Sequence, residues 1–308
     1  MIISPSVISP YKIPTFQSGG ASFVGLLDLY PSAAAAYSVR LLKSDYAGSA
    51  MEVRRSSDNA LQDIGFDANG DLDTASLVSF VGAGDGFVRT WYDQSGNAND
   101  AQNTTASQQP QIVSSGSLVL LNGKVAVDFD GLNDVLQSVS ANQMTNSAEL
   151  YVVSVLNIET SGANEHAFGV SYTGSVSNLM SLGSSGDNYR FRYSVNATFQ
   201  AVSAFRGGST DRILMSGNYD GVNLDMNINN NSYSSAQSIG TATGEYFFIG
   251  KLGTNNPFDG KMQESIIWTG DKTSVKSQIE SNINSYYSIY SPPSGIGTWT
   301  IGTTFIIQ

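Results

Sequence analysis

The chain has 308 residues, of which 41% are hydrophobic and only 13% charged, with a net charge of −11 and a pI of about 4.4. No basic patch is present to release counterions from phosphate, and Arg54-Arg55 is too short to make one, so nucleic acid is excluded as a partner. The absence of cysteine removes disulfides, thiolate zinc sites and thiol nucleophiles. The apolar content is too high for a disordered chain. No apolar run approaches the roughly 20 residues of a membrane span. Met1-Ile2-Ile3-Ser4-Pro5 lacks the basic and apolar regions of a signal peptide.

Residues 1–30 carry Pro5, Pro10, Pro14 and a Gly19-Gly20 break, which read as an extended arm. Its Ile2, Ile3, Val7, Ile8 and Ile13 are too apolar for a solvated linker, so the arm is expected to lie against its own domain or a neighbouring subunit. Ser32 to Leu42 reads as a short helix, because Ala33–Ala36 are strong helix formers and Ser32 can cap them. Met51–Arg55 and Leu61–Phe66 read as strands. A second helix is expected over Thr74–Val81, capped by Asp73 or Thr74 and ended by Gly82.

Between these, Asp67, Asn69, Asp71 and Asp73 place oxygen side chains at alternate positions, as in the first half of a calcium loop. The glycine is at the fourth place instead of the sixth, and Val78 stands where a bidentate Glu belongs, so an Asx-rich turn capping the next helix is the preferred reading. No other cofactor is indicated.

From Leu118 onward the pattern is β. Asn122-Gly123 signals a hairpin, and Tyr151–Ile158 reads as a strand covered on both faces. Tyr189, Phe191 and Tyr193 alternate with arginines, and Asp220-Gly221 turns one alternating strand into the next. Lys272–Tyr287 reads as a long amphipathic helix with Asp271 as its cap. The tail 291–308 ends in Trp299, Ile301 and Phe305–Ile307, a β segment suited to pairing with a sheet edge. Many short strands and few helices indicate an antiparallel sandwich over residues 31–290.

Phe87–Tyr92 reads as a strand that breaks into a polar loop at Asp93–Asp100. Trp91, Tyr92, Asp93, Gln94, Asn97, Asn99 and Asp100 put amides and carboxylates beside flat apolar faces. That chemistry suits a sugar, whose hydroxyls lie at the rim and whose C–H groups lie on the ring faces. The alternative is a structural corner whose side chains satisfy backbone groups.

This stretch also carries a resemblance. Ala34–Leu42, Val53–Ala60, Asp63–Phe66, Val81–Gly84 and Trp91–Asn97, in that order, resemble the front half of the arabinofuranosidase-B catalytic domain. They resemble still more the laminin-G/concanavalin-like domains of phage structural and tail proteins. The resemblance implies an all-β concanavalin-like antiparallel jelly-roll sandwich with a few short helices and extended terminal arms. In the arabinofuranosidases a Glu nucleophile lies near a vicinal cysteine pair, and an acid Asp follows a Gly-Gly. Here there is no cysteine, the context of Glu165 does not match, and Gly253 falls at the acid position. His166, the sole histidine, has no nucleophile elbow to serve.

The resulting expectation is a phage virion structural protein, a capsid decoration, head-fibre or tail component, made in the host cytoplasm and without hydrolase activity. Its lectin-like domain would bind cell-surface glycans. Its arm and tail would bind other virion proteins or copies of itself. The alternatives are an arabinofuranosidase-type glycoside hydrolase and a free glycan-binding module.

Overall fold

The computed structural model describes residues 23–291 apart from 139–143, 148, 161, 173–174, 196–197, 237–241, 245 and 252–255. The expectations for residues 1–22, for 292–308 and for Gly253 fall on residues outside the described ones. The described part is all-β, with strands that pair only antiparallel, most of them in one nearly closed sheet beside two small two-stranded ones.

The strand Asp259–Thr269 is its seam. One edge pairs first with Val127–Asp130, Asp130 opposite Asp259, and then with Ala33–Ser38, Ala33 opposite Trp268. The other edge pairs with Leu150–Leu156, which leads through Ile213–Tyr219 and Asn223–Ile228 to Asn231–Ala236. The rest of the sheet runs from Leu61–Ile64 through Met51–Arg55 and Gly86–Trp91 to Ala101–Gln102 and Leu136–Ser138. It continues through Tyr246–Ile249, Asn164–Tyr172, Ser175–Ser185 and Asn188–Val195 to Thr198–Phe205. Gln111 joins the two parts, pairing with both Phe87 and Asp128.

The core lies between these parts. Tyr37 meets Phe168 edge-on at 6.0 Å, and Tyr193 lies 4.8 Å from Tyr219. Gly217 permits a close approach, because a Cβ there would stand 2.5 Å from the Phe191 ring.

Ser32–Leu42 is not a helix. Ala33–Ser38 is a fully buried strand. Backbone pairing with Asp259–Thr269 outweighs the helix propensity of alanine, which amounts to only tenths of a kcal/mol per residue. The helix Thr74–Val81 forms as expected, with Asp73 Oδ1 accepting from the Ser76 N–H at 3.0 Å and Gly82 at its end. The Asn122-Gly123 hairpin also forms, with φ of 49° and 79°. Within the span read as an arm, Leu26–Leu29 is a helical turn that buries Leu26 and Leu27, and Trp268 donates to the Tyr30 carbonyl at 3.0 Å.

The last helix starts later than its sequence suggests, at Lys276, and ends at Tyr287. Asp271 does not cap it; its carboxylate accepts from the Thr273 N–H at 2.8 Å instead. Ile279 and Ile283 are buried. Glu280 is buried too, accepting from Ser216 Oγ at 2.6 Å, Asn227 Nδ2 at 3.0 Å and Tyr151 Oη at 3.1 Å. Glu280→Ala leaves those donors unmatched and should cost roughly 2–3 kcal/mol, read as a lower urea midpoint.

Candidate functional site: a corner loop and a carboxylate cluster

The loop after Gly86–Trp91 is a structural corner on its inner side. Asp93 Oδ1 accepts from the Ala36 N–H at 2.8 Å and from the Ser95 N–H at 2.9 Å; Oδ2 accepts from the Asn99 N–H at 3.0 Å. Gln94 accepts from the Leu42 N–H at 2.8 Å and donates to the Arg40 carbonyl at 3.0 Å. Asn97 and Asn99 donate to the Ala33 and Ala34 carbonyls at 2.9 and 2.8 Å. Trp91, Asp93, Gln94 and Asn99 are buried. These side chains hold the loop onto the strand Ala33–Ser38, so their polar groups on this side are taken up by the backbone. Tyr92 and Asp100 remain on the outer side. With the edge of Asp93 they line an open cavity of about 500 Å³, shared with Tyr46 and Asp63.

The candidate calcium residues are not gathered around a common point. Asp67 Oδ1 accepts from the Asn69 and Asp71 N–H groups at 2.8 and 3.0 Å, Asp73 caps a helix, and Asp71 accepts from the Tyr286 hydroxyl. The turn is the Asx-rich one. Among the described residues no group of three or more His, Cys, Asp or Glu is placed to hold a metal ion.

A second constellation forms where Val127–Asp130 meets the start of the seam strand. Asp128, Asp130 and Asp134 line a cavity of about 230 Å³ with Phe87 and Gln109. Lys261 reaches Asp128 at 3.4 Å and also binds Glu159. Beyond Lys261 lie Asp259 and Glu165. The Asp259 N–H donates to Glu165 Oε2 at 3.4 Å, and Thr160 donates to the Asp259 carboxylate. Glu165 is 1% exposed, and its Oε1 has no partner among the described residues. A buried polar atom left unmatched costs about 1–3 kcal/mol, so it calls for a functional explanation.

Burial sets the protonation of this cluster. It pushes Glu165 and Asp134 each up to about 7. It also raises Asp259, with Glu159 and Asp130 adding repulsion. Next to Glu165, burial followed by Arg190 and Arg192 pushes His166 down to about 3. The neutral ring bonds Ser181 Oγ at 2.8 Å and serves as no base near pH 7. The cluster therefore holds a carboxyl that keeps its proton near neutrality, beside other acids.

The raised Glu165 has a stability consequence. Its carboxyl binds the proton more tightly folded than unfolded, so stability falls as pH rises from about 4.5 to about 7 and is level above. Glu165→Gln removes that loss. Relative to the parent, the variant should gain roughly 2–3 kcal/mol between pH 4 and pH 8, measured by urea denaturation at both values.

Sequence reading named Glu165 and set it aside, and it missed Asp134, Glu159 and Asp259. A signal was present: Asp128 and Asp130 point away from the core face of Val127 and Phe129, and Asn157 and Glu159 follow a nearly continuous apolar strand. Nothing local shows that these segments converge on Asp259.

The family model for the catalytic domain of α-L-arabinofuranosidase B matches residues 28–128. Among solved structures, an arabinofuranosidase complexed with arabinofuranosyl-α-1,2-xylobiose superposes with a TM-score of 0.66 at 18% identity over 84% of this chain. A GH54 α-L-arabinofuranosidase soaked with a cyclic sulfate inhibitor gives 0.70 at 19% identity over 88%. The chain spans 64% of the first and 68% of the second. No curated protein sequence matches it.

These matches correct the functional expectation. The matched model is that of an enzyme's catalytic domain, and the fold is that of solved arabinofuranosidases. They overturn the reading as a phage virion protein without activity and its placement in the virion. Of the resemblance, the arabinofuranosidase half is the one they support.

Proposed function

We propose that this domain is a glycoside hydrolase of the arabinofuranosidase type, with a concanavalin-like jelly-roll sandwich as its scaffold. The observation that carries the reading is the hydrogen bond from the Asp259 N–H to the Glu165 carboxyl at 3.4 Å, which brings together two acidic residues from separate strands, one of which keeps its proton to about pH 7. Glycoside hydrolysis needs one carboxyl to give a proton to the leaving oxygen and another, ionised, to act as base or nucleophile. Glu165 suits the first role, because its free Oε1 has no competing partner among the described residues. Asp259 suits the second, with Thr160 orienting its carboxylate. Lys261 and Arg206 moderate the charge around them: Lys261 binds Glu159, and Arg206 clamps the Ile158 carbonyl at 3.1 Å.

The test is release of nitrophenol from 4-nitrophenyl α-L-arabinofuranoside by the purified protein. Turnover that depends on Asp259 supports the reading, as does turnover of arabinofuranosyl-xylobiose that depends on Glu165. No turnover across pH 4–8 on that substrate and on arabinofuranosyl-xylobiose sinks it.

A further inference from the structure

We propose that the cavity between Tyr46 and Tyr92 is a second saccharide-binding subsite, for a neutral oligosaccharide, separate from the carboxylate cluster. The inference rests on the glycoside-directed reading above and adds a site that this reading does not use.

The two sites lie at opposite ends of one strand. Phe87 borders the carboxylate cluster and Tyr92 borders this cavity. Five residues of extended chain separate them by about 17 Å. The cavity's volume of about 500 Å³ suits a sugar residue or two rather than a protein segment.

Its walls are built in advance. Tyr46 donates to the Ser49 carbonyl at 2.9 Å and packs edge-on against Phe66 at 6.4 Å. Gly48 makes room for that ring, since a Cβ there would stand 2.6 Å from Tyr46 Oη. Tyr92 donates to Asp63 Oδ1 at 2.7 Å, which fixes both side chains. Asp100 Oδ1 accepts from the Asp93 N–H at 2.9 Å. Asp63 and Asp100 thus each have one oxygen anchored, and both residues line the cavity.

The lining selects the ligand class. Two fixed aromatic rings offer faces for sugar C–H groups, and two anchored carboxylates accept from vicinal hydroxyls. No cationic side chain lines the cavity, so an anionic glycan would meet only repulsion. A metal ion finds no usable third carboxylate, because both Asp93 oxygens already accept from backbone N–H groups.

Isothermal titration of the full chain with arabinotriose, xylotriose and cellotriose tests this, with trigalacturonate and spermine as charged controls. At least one neutral trisaccharide should bind. Asp100→Asn and Tyr46→Ala should each weaken that binding at least tenfold while turnover of 4-nitrophenyl α-L-arabinofuranoside stays within twofold of the parent. Asp100→Asn preserves side-chain shape, so its unfolding midpoint should match the parent's. The proposal is overturned if no neutral trisaccharide binds, if either variant binds like the parent, or if trigalacturonate or spermine binds more tightly than the sugars. Because the readout is binding, absence of turnover would count against the hydrolase reading alone.

Discussion

Replacing Glu165 by Gln should lower kcat on an arabinofuranosyl-xylose linkage by roughly 10²–10⁴-fold, the usual contribution of a general acid. Gln retains the shape and can still accept from the Asp259 N–H, so the site should keep its form. What it loses is the proton. The loss should therefore depend on the leaving group. Nitrophenolate departs with little help, so kcat on the nitrophenyl substrate should fall much less. In the parent, kcat should decline as pH rises past about 7, where Glu165 ionises, and the variant should lack that limb. Asp259→Asn should reduce both substrates alike, because a base or nucleophile is needed whatever leaves. Equal rates for parent and Glu165→Gln on the xylose-linked substrate would remove Glu165 from the chemistry.

Glu264→Ala should destabilise the protein by roughly 3–5 kcal/mol, the cost of leaving a buried charge without its partner. Glu264 is fully buried on the seam strand, and Arg40 binds it twice, Nε to Oε2 at 2.7 Å and Nη2 to Oε1 at 3.0 Å. Ser38 and Tyr287 donate to the same carboxylate at 2.8 and 3.2 Å. The pair ties the end of the strand Ala33–Ser38 and the last helix to the seam. The double variant Arg40→Met/Glu264→Leu removes both charges and should recover much of the loss. Guanidinium unfolding of the parent, the single and the double variant gives the comparison. A single variant within 1 kcal/mol of the parent would show that water or rearrangement replaces the lost partner.

Much of the fold was legible because strands announce themselves through alternation. Tyr189, Phe191 and Tyr193 are buried as their spacing implies, and Asn122-Gly123 makes its hairpin. Ala33–Ala36 misled, since alanine's preference for helix is weak beside a full edge of strand pairing. Small side chains are needed there for a different reason. The side chains of Asp93, Asn97 and Asn99 bond directly to that strand's backbone. The loop residues were legible as polar and ordered, but not as turned inward. Direction depends on a strand some 60 residues away. The carboxylate cluster was the least legible part, because its acids come from four segments and only the sheet's register brings Asp130 opposite Asp259.

The seam strand also fixes the order in which this chain can fold. Ala33 finds its partner in Trp268, 235 residues later. At a synthesis rate of about 5–20 residues per second, the strand Ala33–Ser38 waits on the order of ten seconds or longer with that edge open. Contacts of such long sequence separation also slow folding itself. The nascent chain thus carries a run of buried-type residues with unpaired backbone for the whole of that interval, a template for pairing with another chain. Yield in a recombinant host should therefore respond to growth temperature and to chaperones that shield extended segments, more than to any change in the finished protein's stability.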